Sequence, residues 1–135
     1  MRSLLFVPGD SERKLEKGLV SGADLLILDL EDSVAPGRKA AARGITAEFL
    51  FSRAGQPGPT LYVRVNDFST GLTDDDLAGV VKAAPHGIML PKSAGGADVE
   101  RLSAKLRVYE AEAGLPDGAI RVLPIITETA AGLLA

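Results

Sequence analysis

Short apolar segments alternate with longer helical segments along the whole chain of 135 residues, and this alternation restricts the fold more than any other feature. The predicted strands are residues 4–7, 25–30, 61–65, 87–90 and 122–126. Predicted helices occupy residues 11–20, 36–54 and 97–113, and others begin at Thr73 and Thr129. The second strand has no polar residue before Asp29, which is typical of a parallel strand buried on both faces. The order therefore predicts parallel βα units joined by right-handed crossovers.

Two architectures are compatible with repeated βα units: an open, doubly wound sheet and a closed barrel. Pro8 and Gly9 follow the first strand, without the Gly-x-Gly-x-x-Gly motif of a dinucleotide-binding sheet. Each predicted strand ends in polar residues, and in a barrel these ends form one ring where active sites lie. A complete barrel has eight strands and about 250 residues. We therefore expect residues 1–135 to be the N-terminal portion of a single (β/α)8 barrel domain, with about five of its units.

The polar residues at the strand ends are Asp29, Glu31 and Asp32, then Arg64, Asn66 and Asp67, then Lys92, and finally Thr127 and Glu128. Asp29 and Glu31 are two residues apart, so both point to the same side of an extended chain. Clustered carboxylates repel one another unless a cation lies between them. The group indicates either a magnesium site or its outer shell, or a loop with ion pairs to Arg38, Lys39 or Arg43. The residues alone leave both interpretations open.

Arg64 interrupts an apolar strand, and its guanidinium cannot lose its proton. Burial therefore requires a carboxylate partner or an anionic ligand. Glu128 precedes the last predicted helix, where it is either a capping acid or a metal ligand. The run Asp74-Asp75-Asp76 is predicted to be ordinary first-turn charge of the third helix. His86, the single histidine, is expected at the opposite end of the strands in a surface or packing role.

Composition excludes several classes of function. The chain has no cysteine, so it has neither a disulfide nor a thiolate metal site. A net charge of −3 argues against a nucleic-acid partner. No apolar run approaches the roughly 20 residues that a membrane span requires, so we expect a cytoplasmic protein without a membrane partner. Five cations are candidates for phosphate contacts, although surface charge is the simpler interpretation: Arg13, Lys17, Arg38, Lys39 and Arg43.

Five motifs, in order and one at each strand end, carry a resemblance that covers nearly the whole chain. They are Arg2-Ser3-Leu4-Leu5-Phe6-Val7-Pro8-Gly9, Asp29-Leu30-Glu31-Asp32-Ser33-Val34, Tyr62-Val63-Arg64-Val65-Asn66, Met89-Leu90-Pro91-Lys92 and Glu128-Thr129-Ala130-Ala131-Gly132-Leu133. The set resembles the HpcH/HpaI aldolase and citrate lyase β-subunit family. The fold implied by this resemblance is the TIM barrel.

The resemblance also implies roles for individual residues. Arg64 would bind substrate and stabilise an enolate, and Glu128 would be a substrate-contacting magnesium ligand. A second ligand, an aspartate, is expected beyond Ala135. The outer shell of the metal would contain Asp29, Glu31 and Asp32. The substrate pocket would be bordered by Pro8, Gly9, Pro91 and Lys92.

The implied activity is that of a magnesium-dependent carbon–carbon lyase. Its substrate would be a 3-hydroxy-carboxyacyl thioester, such as a citryl, malyl or citramalyl group on coenzyme A or a carrier-protein arm. A homotrimer or homohexamer would be the assembly. One alternative is a non-catalytic partial barrel that completes its sheet with a partner. A second is a pyruvate-type 2-oxo acid aldolase of the same family, which needs a histidine base that the predicted position of His86 does not provide.

Overall fold

A computed structural model describes residues 3–93 and 95–126, in which five strands alternate with four α-helices. The strands are β1 (Leu4–Pro8), β2 (Leu25–Asp29), β3 (Thr60–Arg64), β4 (Gly87–Ser93) and β5 (Arg121–Ile126). The helices are α1 (Glu12–Leu19), α2 (Lys39–Arg53), α3 (Thr73–Val80) and α4 (Gly96–Glu112). Single 3-10 turns cover Pro36–Arg38, Phe68–Thr70 and Val81–Ala83. None of these helices has the length and apolar character needed to cross a membrane. The predicted helix from Thr129 lies outside the described residues.

All neighbouring strands are parallel, and the strand order is β1-β2-β3-β4-β5, the same as the order along the chain. A doubly wound sheet reverses its strand order at a switch point, where its ligand binds. No reversal occurs among the described strands, so the sheet has barrel order. The predicted parallel α/β class is confirmed, with the five described strands forming an open sheet.

The two faces of the sheet bury different apolar clusters because successive strand residues point to opposite sides. On the outer face, the helices cover the larger cluster, which includes Leu26, Leu28, Val63, Ile88 and Leu90 from the strands and Leu15, Leu50, Leu77 and Leu102 from the helices. The inner face carries a smaller cluster of Leu25, Ile27, Tyr62 and Met89, with Leu123 packed against it. The inner face is the one that continues into the functional site.

The structure corrects the predicted end of the fourth strand. We predicted that Pro91 closes the strand after residue 90, but β4 continues to Ser93. The pairing of β4 with β5 shifts between Leu90 and Ser93, so Pro91 falls in an irregular stretch where a proline is tolerated. Lys92, in the same stretch, has a φ of 53°, a left-handed conformation that is uncommon for a residue with a side chain. The irregular pairing therefore sets the direction in which the Lys92 side chain points away from the strand.

Gly87 is expected to be indispensable for packing at the base of the inner face. A Cβ at this position would lie 2.5 Å from Cε2 and 2.8 Å from Cε1 of Tyr62, whose ring covers the glycine. Gly87→Ala should lower the free energy of unfolding by about 1–3 kcal/mol, as overpacking does. Gly44→Ala in α2 is the matched control, because a Cβ at Gly44 meets nothing within 4 Å. This substitution should raise the free energy of unfolding by about 0.5–1 kcal/mol. Urea unfolding of both variants checks this, and equal stabilities would contradict it.

Candidate active site at the carboxyl ends of the strands

The carboxyl ends of the described strands bring residues from distant parts of the chain to one level. The pairing aligns Pro8 with Asp29, Asp29 with Arg64, Arg64 with Met89, and Met89 with Leu123. Asp29 and Arg64 are the last residues of β2 and β3, and both side chains belong to the inner face. We call this end of the sheet the rim. Both residues were predicted at a common rim, and the structure places them side by side.

Arg64 and Asp29 form a bidentate ion pair. Nε of Arg64 donates to Oδ1 of Asp29 at 2.8 Å, and Nη2 donates to Oδ2 at 2.7 Å. Asp29 is fully buried, whereas the side chain of Arg64 keeps 18% of its surface exposed. The buried carboxylate partner that a strand arginine requires is therefore Asp29. The hydrogen bond to Asp29 raises the pKa of Arg64 further, which keeps the guanidinium charged.

The remaining edge of the guanidinium is directed away from Asp29. Nη1 of Arg64 makes no hydrogen bond to any residue that the structure describes, so the edge formed by Nη1 and Nη2 can still receive an anion. The Phe6 ring supports the group, with its centroid 4.6 Å from the guanidinium carbon. A cation over an aromatic face is attracted to it. The arginine is thus held on two sides and has donors left on a third.

The turn after β2 wraps around the Asp29 carboxylate. Oδ1 accepts a hydrogen bond from the Glu31 amide at 2.9 Å, and Oδ2 accepts from the amide and hydroxyl of Ser33 at 2.9 and 2.6 Å. Burial by itself raises the pKa of Asp29, but the hydrogen bonds from Arg64, Ser33 and Glu31 outweigh it and bring the pKa to about 2. With five donors on about four lone-pair positions, Asp29 has no oxygen left for a direct metal bond.

Glu31 and Lys92 form a second ion pair across the rim. Nζ of Lys92 lies 3.0 Å from Oε2 of Glu31, and Oε1 lies 3.5 Å from Nε of Arg64. Burial and a hydrogen bond with Asp32 raise the pKa of Glu31, although Lys92 and Arg64 act in the opposite direction. Glu31 is buried, while 57% of the Lys92 side chain is exposed. The carboxylate of Glu31 thus joins the cation of β3 to the cation of β4 across the rim.

The structure corrects the expected ion pairs of the carboxylate cluster. One of the two open interpretations paired the cluster with three nearby cations, and none of these cations pairs with the carboxylate of Asp29 or Glu31. Arg38 contacts Asp10 at 3.2 Å, Lys39 donates to main-chain and amide oxygens, and Arg43 lies 2.8 Å from Asp76. The true partners, Arg64 and Lys92, come from β3 and β4, because strand register and not sequence proximity brings the charges together.

The three consecutive aspartates at the start of α3 have different environments. Asp74 pairs with Lys105 at 3.0 Å, and Asp75 is exposed, as first-turn charges usually are. All three lie in the first turn of α3, as predicted, but Asp76 is fully buried and binds Arg43 and Asn66, which the prediction did not include. The 3.6-residue period turns the third aspartate toward the sheet.

The loop after β1 lies close to the ion pair because Gly9 has no side chain. A Cβ at Gly9 would be 2.5 Å from Oγ1 of Thr46 and 2.8 Å from the Asp29 carbonyl, to which the Gly9 amide also donates at 2.8 Å. Pro8 and Gly9 are therefore at the rim, and Pro91 and Lys92 reach it from β4. The four residues that the resemblance assigns to the pocket border share the end of the sheet that holds Arg64.

His86 lies at the opposite end of the strands, as predicted. Its Nδ1 accepts a hydrogen bond from the Leu61 amide at 2.9 Å, which joins the starts of β3 and β4. The predicted surface position is confirmed, since His86 is exposed. Thr127 and Glu128 lie outside the described residues. Within residues 3–93 and 95–126, no group of three or more histidine, cysteine, aspartate or glutamate side chains is arranged to hold a metal ion.

Two residues that hold Arg64 or its partner Asp29 in place were not predicted from the sequence, although both belong to the five motifs. Ser33 closes the turn around Asp29, and Phe6 lies beneath the guanidinium. A signal for Phe6 exists, since it is two residues before Pro8 and therefore on the same face of β1. The only signal for Ser33 is its place in a short polar turn.

The family model described as HpcH/HpaI aldolase/citrate lyase matches residues 2–135. Citrate lyase subunit beta of Leuconostoc mesenteroides subsp. cremoris is 32% identical over 133 residues, which are 98% of this chain and 43% of that protein. Mitochondrial citramalyl-CoA lyase of Rattus norvegicus is 35% identical over 136 residues, with coverages of 98% and 39%. A (3S)-malyl-CoA thioesterase of Cereibacter sphaeroides is 38% identical over 103 residues, with coverages of 76% and 36%.

Solved structures show the same relationship. Protein CitE of Mycobacterium tuberculosis, in complex with magnesium and acetate, is 30% identical with a TM-score of 0.69 over 98% of this chain and 46% of that one. A citrate lyase of Burkholderia xenovorans LB400 has a TM-score of 0.79 at 24% identity, with coverages of 93% and 41%, and supports the fold alone. The chain spans less than half the length of these proteins. The matched family model, the relatives and the shared fold together show that the chain belongs to the HpcH/HpaI aldolase/citrate lyase family.

Proposed function

We propose that this chain supplies the substrate-binding arginine of a carbon–carbon lyase that cleaves hydroxyacyl thioesters. The observation that carries the proposal is Arg64, fixed at the rim by Asp29 and Phe6 with donors left on the guanidinium edge that Asp29 does not occupy. The names of the relatives contain citrate, citramalyl-CoA and malyl-CoA. In each of these compounds a hydroxy acid lies beside a cleavable bond. A citryl, malyl or citramalyl thioester is therefore the substrate class.

The reaction requires a place for negative charge. The substrate hydroxyl loses its proton and becomes the ketone of a 2-oxo acid, while the electrons of the broken carbon–carbon bond move to the thioester as an enolate. The enolate then takes up a proton to give the acyl thioester. The free donors of Arg64 would contact the enolate oxygen, where a single well-placed donor accelerates a reaction by about 10²–10³. Because the guanidinium is already held, little reorganisation accompanies the charge development.

Magnesium is the metal that fits the donors of this rim. Among the described residues, the side chains at the rim that could face a metal are carboxylates, without histidine or cysteine, which suits a hard cation. Asp29 is saturated by its hydrogen bonds, so with Glu31 and Asp32 it belongs to the outer shell. Glu128 would be a direct ligand, together with an aspartate beyond Ala135. When bound, magnesium acidifies a chelated hydroxyl and polarises the forming ketone.

The border of the pocket would come from the end of β1 with Gly9 and from the irregular end of β4. Pro8 and Gly9 would limit its width on one side, and Pro91 on another. Lys92, which is largely exposed, would meet a substrate carboxylate or a carrier phosphate. The carrier is coenzyme A or a protein-bound arm, and the assembly is a homotrimer or homohexamer. The location of His86 at the far end of the strands leaves the pyruvate-type aldolase without support from the described residues.

The full-length protein that contains this chain should release a 2-oxo acid from citryl-, malyl- or citramalyl-CoA only when magnesium is present. A coupled reductase assay for pyruvate, glyoxylate or oxaloacetate measures this release. Glu128→Gln should raise the magnesium dissociation constant at least tenfold in calorimetry, since it removes a charged ligand. Failure of all three thioesters with magnesium present would reject the proposed activity, and an unchanged magnesium affinity would reject Glu128 as a ligand.

A further inference from the structure

Behind the rim, on the helix side of the sheet, a chain of polar side chains connects the ends of β2 and β3 with two helices. Its members are Lys39 and Arg43 from α2, Asn66 after β3, and Asp76 from α3. Asn66 and Asp76 are 2% and 0% exposed, so their polar atoms are hidden from water. None of these residues has a part in the proposed chemistry. We call these four residues the polar network.

Lys39 fixes the turn that encloses the Asp29 carboxylate. Its Nζ donates to the carbonyls of Leu30 and Glu31 at 2.8 and 2.6 Å and to Oδ1 of Asn66 at 2.9 Å. An ammonium group has three donors, and all three are used. Two of the acceptors are main-chain atoms within two residues of Asp29. The position of the turn therefore depends on a lysine from the next helix.

Asp76 fixes the chain that follows Arg64. Its Oδ2 accepts hydrogen bonds from the amide and the side-chain nitrogen of Asn66, both at 2.8 Å, and its Oδ1 lies 2.8 Å from Nε of Arg43. Asn66 also donates to the Leu30 carbonyl at 3.0 Å. Hydrogen bonds with a charged partner in a buried setting are stronger than neutral ones. The segments after β2 and after β3 are thus joined through one asparagine.

The polar network joins the segments after β2 and β3 on the helix side of the sheet. Arg64 and Asp29 meet on the opposite, inner side of the same segments. The Leu30 amide also donates to the Arg64 carbonyl at 2.9 Å, which links the two segments directly. We propose that Lys39 and Asp76 are positioning residues for Arg64, acting through the main chain at the ends of β2 and β3. This role rests on the proposed function insofar as it concerns catalysis, whereas the effect on the Arg64–Asp29 geometry is independent of it.

The Nε proton of Arg64 reports the geometry without any substrate, because it is donated to Oδ1 of Asp29. In the full-length protein, its nitrogen–proton signal is identified by its loss in Arg64→Lys. Lys39→Met and Asp76→Asn should each accelerate exchange of this proton with water at least tenfold. They should also lower kcat about tenfold with less than a threefold change in KM, since a displaced donor fails mainly in the transition state.

Matched controls separate positioning from general damage. Asp75→Asn makes the same change on the exposed neighbour in α3, and Lys82→Met removes an exposed lysine. Both should leave proton exchange, kcat and KM within twofold of the parent. Lys39→Gln, a milder substitution, replaces Lys39→Met if that variant does not unfold cooperatively, and it should show the same direction of change.

The outcomes are distinguishable. Exchange rates and kcat values for Lys39→Met and Asp76→Asn that match those of Asp75→Asn would overturn the inference. If the parent cleaves no thioester but the Arg64 Nε proton exchanges faster in both variants, the proposed function fails while the positioning role stands. If the parent is active and KM or kcat changes while the Arg64 Nε proton exchanges as in the parent, Lys39 and Asp76 act without moving Arg64, which also overturns the inference.

Discussion

Arg64→Lys is expected to lower kcat/KM for thioester cleavage by the full-length protein by about a hundredfold or more. Lysine keeps the positive charge but has a single compact ammonium in place of a planar fork. It cannot bind both oxygens of Asp29 at 2.7–2.8 Å and still direct two donors at a substrate oxygen. Loss of one preorganised donor costs about 10²–10³ in rate. Initial rates with each thioester measure the effect.

Arg107→Lys is the control, since it makes the same change at an exposed position of α4. Arg64→Ala is a poorer test because it leaves the buried Asp29 carboxylate without its cation, and removal of one partner of a buried pair costs about 3–5 kcal/mol. Lost activity would then accompany lost structure. If Arg64→Lys retains nearly the parental rate, Arg64 does not stabilise the enolate.

Asp29→Ala is expected to have the largest effect on stability, a loss of about 3–5 kcal/mol in the free energy of unfolding. The substitution leaves the guanidinium of Arg64 without its carboxylate and the amides of Glu31 and Ser33 without their acceptor. Urea unfolding of the full-length protein measures the loss. Asp75→Ala, at an exposed position, should cost less than about 1 kcal/mol. Equal losses in the two variants would contradict the structural role of Asp29.

The same carboxylate makes stability depend on pH in acid. The pKa of Asp29 falls from its usual 3.8 to about 2 in the folded protein. A lowered folded-state pKa contributes stability above the unfolded value, and the contribution is lost as pH falls from about 4 through 2. The contribution is about 2 kcal/mol. The parent should therefore lose more stability between pH 4 and pH 2 than Asp29→Asn does, and parallel pH curves would refute this.

The sequence predicted the elements closely because their limits are local. The first three strands were expected at 4–7, 25–30 and 61–65, and the structure has Leu4–Pro8, Leu25–Asp29 and Thr60–Arg64. Apolar runs bounded by glycine, proline and charged residues define such strands without knowledge of the rest of the fold. The predicted fourth strand is too short because proline usually ends a strand, whereas the irregular pairing with β5 accommodates this proline.

Three members of the candidate site were predicted together, but their bonds were not. Asp29, Glu31 and Arg64 were expected at one rim with Glu128, and the structure places the first three within contact of one another. One interpretation of the carboxylates gave them partners among the cations that follow closely in sequence. Lys39 instead binds carbonyl oxygens, and the pairing falls to an arginine 35 residues after Asp29.

The sequence by itself determined the order of strands and helices and the positions of Asp29, Arg64 and Lys92 at the strand ends, because periodicity and chain order encode these locally. The tertiary structure alone decided which edge of Arg64 faces Asp29, that Asp76 is buried, and that Lys92 crosses to Glu31. Such contacts join residues far apart in sequence. They depend on strand register and helix packing, which are set by the whole core and by no single segment.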